Sequence, residues 1–354
     1  MLSSSSSSSS LLRRAPPAIS FFTTGPHPYR PYSSHSRPPS SAQPTSSTVA
    51  PSTSSIASHP LPDDVNPPPS TRPADLTLPS PLESSAPAAD KAKRLIALGR
   101  AYLSFYKTGL KNVYHNYRAS IPIRQSFNLP AYLPSSPSAL SSPHKPPAIS
   151  RANFQLLHRA AHDVRRMIPF SIMLIVCGEM TPLVVLALGN AVTPFTCRIP
   201  TQLAKSRRLR ALRKAAALRA HRAATAGSVS PVTPGSDPEL RILHREFANP
   251  AWIAAASAAE ILRACAALGL ARSHTHPEPV VSLLRYRARL AARAEYIARD
   301  DALIREGGGV AALDAAEVSI AVDERGGVDV AADLSGWEAE RAERRWLQRW
   351  LRQE

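Results

Sequence analysis

The feature that most constrains this chain is an apolar stretch, Ile168–Phe195, which contains one ionisable residue, Glu179, three positions before Pro182. The hydrocarbon layer of a bilayer is about 30 Å thick, and about 20 apolar helical residues cross it. We therefore predict a single transmembrane helix over residues 168–195. A charge at the centre of a membrane costs at least about 2.5 kcal/mol, so the presence of Glu179 requires an explanation.

The first 32 residues have the composition of a mitochondrial transit peptide, because they are rich in serine, contain several arginines and lack acidic residues. A secretory signal fits less well, because Arg13 and Arg14 follow Leu11 and Leu12 directly and leave no apolar core of sufficient length. The string Arg30-Pro31-Tyr32-Ser33 resembles a mitochondrial processing site, and we predict cleavage after Tyr32. A disordered tail is the alternative.

The segments before the stretch alternate between Pro/Ser-rich and helical composition. Residues 33–89 hold few apolar side chains and are predicted to be disordered. Residues 90–118 show apolar positions at helical spacing beside lysines and arginines, which predicts an amphipathic helix lying on a membrane surface or against the rest of the protein. A loop is expected over 119–149. Ser150 then caps a predicted helix over 150–167 that leads into the apolar stretch.

Behind the stretch, nine lysines and arginines occur between Arg198 and Arg222 without an acidic residue. The Ala- and Leu-rich background predicts a helix over 198–225. Its charges suit anionic lipid or RNA phosphates, and both readings remain open. The positive-inside rule places this side of a span in the matrix.

The C-terminal part has a different charge balance, since residues 239–354 carry a net charge of −2 and residues 1–238 carry +19. Helical patterns occur over 251–268, 279–299 and 314–325, and Ser335 and Glu338 have the spacing of a capping box that opens a final helix. No strand pattern is present. We predict an all-α fold with a helical domain over 237–354.

No motif of an enzyme is present: the chain lacks a nucleophile elbow, a phosphate loop and a dinucleotide fingerprint. Its three cysteines form no CxxC pair. We expect no enzymatic activity, no cofactor and no bound metal.

Three sequence blocks carry a resemblance. They are Phe105–Lys111, then Arg166–Ser171 with Glu179 and Pro182, and finally the segment from Leu284 to Val310, whose signature positions are Asp300, Asp301, Leu303, Ile304 and Gly307. Over about residues 90–354 the chain resembles the leucine-zipper/EF-hand transmembrane (Letm) family of the mitochondrial inner membrane, in its subgroup with a ribosome-binding domain. The sequence has no calcium-binding loop of the kind that some longer members carry.

The resemblance implies a membrane anchor that binds the mitochondrial ribosome through a matrix-facing domain. Candidate phosphate contacts are Arg207, Arg208, Arg210, Arg213, Arg285, Arg287, Arg289 and Arg293. A solvated helix face is the alternative reading of these arginines. Asp300 and Asp301 are expected to cap or terminate a helix rather than to bind a metal.

Two other functions stay open. The Letm resemblance also implies potassium or calcium exchange for protons, with Glu179 as the proton-linked carboxyl. One span cannot enclose a pathway, so exchange would require a homo-oligomer. A packing role for Glu179 is the competing interpretation. The remaining possibility is an adaptor that makes no ribosome contact.

Overall fold

The computed structural model describes residues 62–83, 85–129, 149–177, 193–227, 231–277, 279 and 284–353, all within the folded unit Thr53–Glu354. The predicted transit peptide (1–32) lies outside them, as do Glu179 and Pro182. The described ranges are helical and contain no strand, which confirms the all-α prediction.

The α-helices are numbered here in chain order. They are α1 (Pro62–Val65), α2 (Ala88–Ser126), α3 (Arg151–Cys177), α4 (Pro200–Ala226), α5 (Asp237–Arg241), α6 (Pro250–Ala255), α7 (Ala258–Ala267), α8 (Tyr286–Glu306), α9 (Ala315–Glu324) and α10 (Gly336–Leu351). A π-helical segment, Ile242–Phe247, follows α5, and short 3-10 helices cover Pro69–Thr71, Phe195–Cys197 and Val310–Ala312.

Helices α2 and α3 pack as an antiparallel pair. Near its C-terminus, α2 places Ile123 against the main hydrophobic core, which also contains Phe154 and Leu157 from the first turns of α3. Further from this core, Gly109 of α2 and Asp163 of α3 both contact the 3-10 helix Phe195–Cys197. The N-terminal half of α2 and the C-terminal half of α3 therefore extend from the domain in the same direction.

Helix boundaries around this pair differ from the sequence expectations. Pro122 lies inside α2, which continues to Ser126 although a loop was expected from residue 119. Pro169 likewise lies inside α3, so no boundary separates the expected pre-membrane helix (150–167) from the start of the apolar stretch. Proline removes one backbone donor but does not end a helix whose flanking turns are packed.

The two ends of the apolar stretch lie together in the fold. Asp163 precedes the stretch, and its carboxylate accepts hydrogen bonds from the backbone N–H of Phe195 at 2.6 Å and the hydroxyl of Thr196 at 3.0 Å. Gly109 permits this contact, since an added Cβ would lie 2.8 Å from Cys197 Sγ. A carboxylate suits the exposed N–H groups at the start of a 3-10 helix.

This closure leaves the predicted single span over 168–195 without support. A single span would put residues 62–167 and 198–353 on opposite faces of a bilayer, whereas α3 is ion-paired to α8 and α9 on the C-terminal side. Residues 178–192 of the stretch lie outside the described residues. Within the described residues, none of the helices has the length and apolar character needed to cross a membrane.

Residues 62–72 correct a second prediction, because composition placed them in a disordered linker. Val65 is buried against Gly307, where an added Cβ would lie 2.7 Å from Val65 Cγ2. The Asn66 side chain donates to Ala312 O at 2.8 Å and accepts from the backbone N–H of Asp314 at 2.9 Å. This segment is fixed mainly by hydrogen bonds to distant residues, which its low apolar content does not reveal.

The C-terminal helices enclose a core that includes the fully buried indoles of Trp346 and Trp350 in α10. The helix expected over 251–268 is divided into α6 and α7 at Ser257, which forms a capping box with Glu260. At the box predicted for α10, Ser335 is the N-cap residue but its side chain makes no capping hydrogen bond. Helix α8 begins at Tyr286 and runs to Glu306, past the helix expected over 279–299, of which residues 280–283 lie outside the described ranges.

Candidate functional site

A cluster of buried ion pairs joins α3 to the C-terminal helices. Arg159 donates two hydrogen bonds to Glu317 of α9, each at 2.8 Å. Arg151, two turns earlier, donates to Asp300 of α8 at 2.8 Å and to the carbonyl of Val65 at 3.2 Å. The cluster thus connects α3, α8, α9 and the segment that carries Val65.

Arg325 is the second centre of this cluster and is fully buried. Its Nη2 donates to Asp300 at 2.7 Å and to Asp301 at 2.6 Å. The other carboxylate oxygen of Asp301 accepts from the indole N–H of Trp350 at 3.0 Å. Asp300 and Asp301 therefore neither cap nor terminate a helix. They lie inside α8 and balance guanidinium groups, which corrects the sequence expectation.

The charges in the cluster favour the ionised carboxylates. Burial alone would raise the pKa of Asp300, but the neighbouring Arg151 and Arg325 outweigh it and hold that pKa below its usual range. For Glu317, burial is likewise outweighed by Arg159, and its pKa is lowered. Among the described residues, no group of three or more His, Cys, Asp or Glu side chains could hold a metal ion.

A polar network extends the cluster along α3. Gln155 donates to Asp300 at 2.8 Å, and the hydroxyl of Tyr296 donates to Glu324 at 2.9 Å. His158 stacks on the Tyr296 ring with centroids 4.4 Å apart. Burial, with a contribution from nearby Arg293, lowers the pKa of His158 to about 3, so this imidazole is neutral at physiological pH.

The remaining signature residues of α8 are structural. Leu303 and Ile304 are buried in the hydrophobic core. Gly307 ends the helix against Val65, and it leaves room for that side chain because it has no Cβ. The signature therefore marks where the N-terminal segment and α3 meet α8.

The basic helix α4 has one face fixed to the domain and one face exposed. Arg207 and Arg210 pair with Asp323 of α9 at 2.8 and 3.1 Å, so these two candidates hold α4 in place. Arg213 is half-buried, and Arg208 is exposed. Lys205 and Arg219 share the exposed face with Arg208. Their helical positions lie within about 60° of one another.

The four candidate arginines around the start of α8 do not form one helix face. Arg285 precedes the helix with a left-handed backbone, φ 50°. The guanidinium of Arg287 donates to the carbonyls of Ile253, Ala254 and Ala256, which are orphan acceptors at the end of α6. Arg289 donates to Leu270 O at 2.7 Å, and Arg293 lies over the ring of Tyr296.

Charged residues that the sequence interpretation missed are the ones that organise the fold. Arg151, Gln155 and Arg159 repeat every four residues, which places them on one face of α3, and that spacing was available in the sequence. Lys214 is equally buried and pairs with Glu239 at 2.5 Å and with Asp329. No local pattern distinguishes Lys214 from the exposed charges of the same helix.

The far ends of α2 and α3 expose apolar side chains. Ile175 of α3 is 79% exposed, and Leu103 of α2 is 71% exposed. The exposed part of α2 also carries Lys91, Lys93 and Arg100 and has no acidic residue after Asp90.

Comparisons with known proteins gave no match. No protein-family model, curated protein or solved structure matches this chain.

Proposed function

We propose that this protein holds mitochondrial ribosomes beside the inner membrane, with lipid contacts at the free ends of α2 and α3 and ribosome contacts on its basic helical surface. The proposal rests on one observation: α3 carries exposed apolar side chains at one end and is ion-paired at the other to the C-terminal helices, on which the basic helix α4 packs. One rigid helix thus links a lipid-compatible end to a domain that presents free cationic groups.

The membrane half of the proposal is supported by the exposed residues. Four apolar side chains of α3 are more than half exposed: Ile168, Ile172, Ile175 and Val176. Moving large apolar side chains out of water lowers the free energy, so these residues favour contact with lipid. The adjacent end of α2 exposes Leu95 and Leu103. The same end carries lysines and an arginine and has no acidic residue after Asp90, which suits an anionic lipid surface. Because Asp163 contacts Phe195, the proposed contact enters the bilayer from one side only.

The ribosome half is supported by the exposed face of α4. Lys205, Arg208 and Arg219 stand clear of the ion pairs that fix the opposite face, so they remain available for phosphates. A positively charged surface that binds RNA by counterion release loses affinity steeply with salt.

The test is cosedimentation of detergent-solubilised full-length protein with purified mitochondrial ribosomes across a salt series. We expect binding at 50 mM salt that falls by at least about tenfold at 200 mM. The variant K205Q/R208Q/R219Q should bind more weakly, and R100Q/K107Q, which changes exposed basic residues of α2, serves as a control. Binding that is absent at low salt, or insensitive to salt, contradicts the proposal.

Cation/proton exchange depends on Glu179, which lies outside the described residues. No observation on the described residues favours exchange over ribosome anchoring, so we do not advance it.

A further inference from the structure

The outer face of α10 carries an aromatic and basic stripe that none of the earlier candidates includes. Its members are exposed and lie within about 80° of one another around the helix. They are Trp337, Arg341, Arg345, Gln348 and Arg352. The inner face of the same helix is locked into the core by Trp346 and Trp350. The stripe is therefore presented by a rigid element over about 22 Å.

The C-terminal half of the stripe borders a pocket of about 470 Å³ between α10 and the loop at Gly235. Three arginines and one glutamine line it, and no carboxylate does. Arg349 is held by Asp237 at 3.0 Å and by the Gly235 carbonyl. Arg345 and Arg352 pair with no other described residue, so their guanidinium groups are free to bind an anion.

The N-terminal half presents an indole. Trp337 is 65% exposed although the Arg341 guanidinium lies 5.1 Å from its ring centroid. With Arg341 over one face, the opposite face of the indole is open to a planar partner. An exposed tryptophan of this kind is uncommon on a soluble surface without a partner.

We propose that this stripe binds single-stranded RNA, with a base stacked on Trp337 and backbone phosphates held by Arg345 and Arg352. Stacking on an aromatic side chain beside guanidinium groups is the general chemistry of single-strand recognition. A lipid surface fits less well, because Trp337 is the only apolar side chain of the stripe and a membrane-inserting helix needs a continuous apolar face. The inference rests on the proposed function, for which it names a ribosomal RNA contact.

The experiment measures fluorescence anisotropy of a labelled single-stranded oligouridylate with the full-length solubilised chain. R345Q/R352Q should weaken binding at least tenfold and reduce the slope of log affinity against log salt by about 1.4. W337A should weaken binding by roughly 5- to 150-fold and leave the slope unchanged. The control K107Q/K111Q removes the same net charge from exposed positions of α2 and should have little effect.

Equal losses for R345Q/R352Q and the α2 control would overturn the inference, as would W337A binding with unchanged affinity. If R345Q/R352Q loses binding to phosphatidylserine vesicles but still binds the oligouridylate, the stripe is a lipid-binding surface and the inference is overturned. If the wild type cosediments with ribosomes but does not bind the oligouridylate, this inference fails while the proposed function stands. If the wild type binds the oligouridylate but does not cosediment with ribosomes, the proposed function fails while RNA binding by the stripe stands.

Discussion

Arg159 and Glu317 face each other across the interface between α3 and α9 with two parallel hydrogen bonds of 2.8 Å. The pair is buried, so neither partner can turn to water if the other is removed. A planar guanidinium fits a carboxylate in this two-bond geometry, and an ammonium group does not. With the contacts of Arg151, the pair fixes α3 to the C-terminal domain.

Removing one partner of this pair should destabilise the protein strongly. Arg159→Ala leaves Glu317 buried without its main cation, and we expect a loss of about 3–5 kcal/mol in the free energy of unfolding. Arg159→Lys keeps the charge but loses the second hydrogen bond, so its loss should be smaller. Urea denaturation followed by circular dichroism measures both. Arg208→Ala at an exposed site should change stability by less than about 0.5 kcal/mol, and equal effects of R159A and R208A would contradict this account.

Acid should unfold the protein through its buried carboxylates. Asp300 and Glu317 have pKa values lowered in the folded state, so the unfolded chain takes up protons first as the pH falls. Their stabilisation is complete above the unfolded values of about 4 and is lost below them. Burial raises the pKa of Glu239 and of Glu343, and these two groups contribute with the opposite sign.

The measurement is the free energy of unfolding by urea between about pH 3 and pH 7. Asp300→Asn should lower stability at neutral pH and flatten the decline below about pH 4, because one proton-binding difference has been removed. Asp75→Asn, at an exposed position, is the control and should keep the wild-type slope. Identical pH slopes for D300N and the wild type would show that Asp300 is not held ionised by its arginines.

Two glycines of α2 should respond oppositely to alanine. At Gly109 a Cβ would meet Cys197 Sγ at 2.8 Å and Thr196 O at 3.0 Å, so Gly109→Ala should cost about 1–3 kcal/mol by overpacking. At Gly99 nothing lies within 4 Å, and Gly99→Ala should stabilise the helix by about 0.5–1 kcal/mol.

Thermal denaturation compares the two variants, and the reactivity of Cys197 with a thiol reagent reports on the junction. Burial raises the pKa of the Cys197 thiol to about 12, so it should react slowly in the wild type and faster in G109A. A G109A protein as stable and unreactive as G99A would contradict the close packing.

Neighbouring arginines of α4 should separate stability from binding. Arg207 is bonded to Asp323 and Ser319, so Arg207→Gln should lower the unfolding midpoint. Arg208 is exposed, and Arg208→Gln should leave the midpoint unchanged while lowering the salt slope of ribosome cosedimentation by about 1. A lower unfolding midpoint for R208Q, with an unchanged midpoint for R207Q, would contradict the orientation of α4.

Both flanks of the apolar stretch should lie on one side of the membrane. Single cysteines at Arg118 and Arg272, in chains without the three native cysteines, can be tested in mitoplasts with a membrane-impermeant maleimide. Because α3 is ion-paired to α8, the two sites should be both labelled or both protected. Detergent should make both reactive, and labelling of only one site before detergent would restore the single span.

The helical class was predictable because apolar periodicity is a local property, and α4 and α9 lie within a few residues of the segments expected from it. Which charged residues of a helix are ion-paired could not be predicted, because their partners are distant in sequence. The sequence shows that Arg207 and Arg208 are both basic, but only the packing of α4 on α9 distinguishes an ion-paired arginine from an exposed one. The same limit applies to Asp300 and Asp301.

The single span was a reasonable prediction from hydropathy, and the described residues leave it unsupported for a reason that hydropathy does not contain. Apolar length measures whether a segment is able to cross a bilayer, whereas Asp163 and Thr196 determine where its two ends are held. The lone carboxyl of Asp163 gives no sequence signal, because two of its partners are backbone N–H groups, which every residue type except proline provides.

The ion pairs of α3 also set the order in which the chain can mature. Arg151 and Arg159 meet their carboxylates 149 and 158 residues later in the sequence. A nascent chain would hold α3 without these counterions, and contacts so distant in sequence form slowly. The exposed apolar end of α3 is therefore made early, but α3 gains its buried ion pairs only when the last third of the polypeptide is present. Completion of the chain is then the step that fixes this helix to the domain.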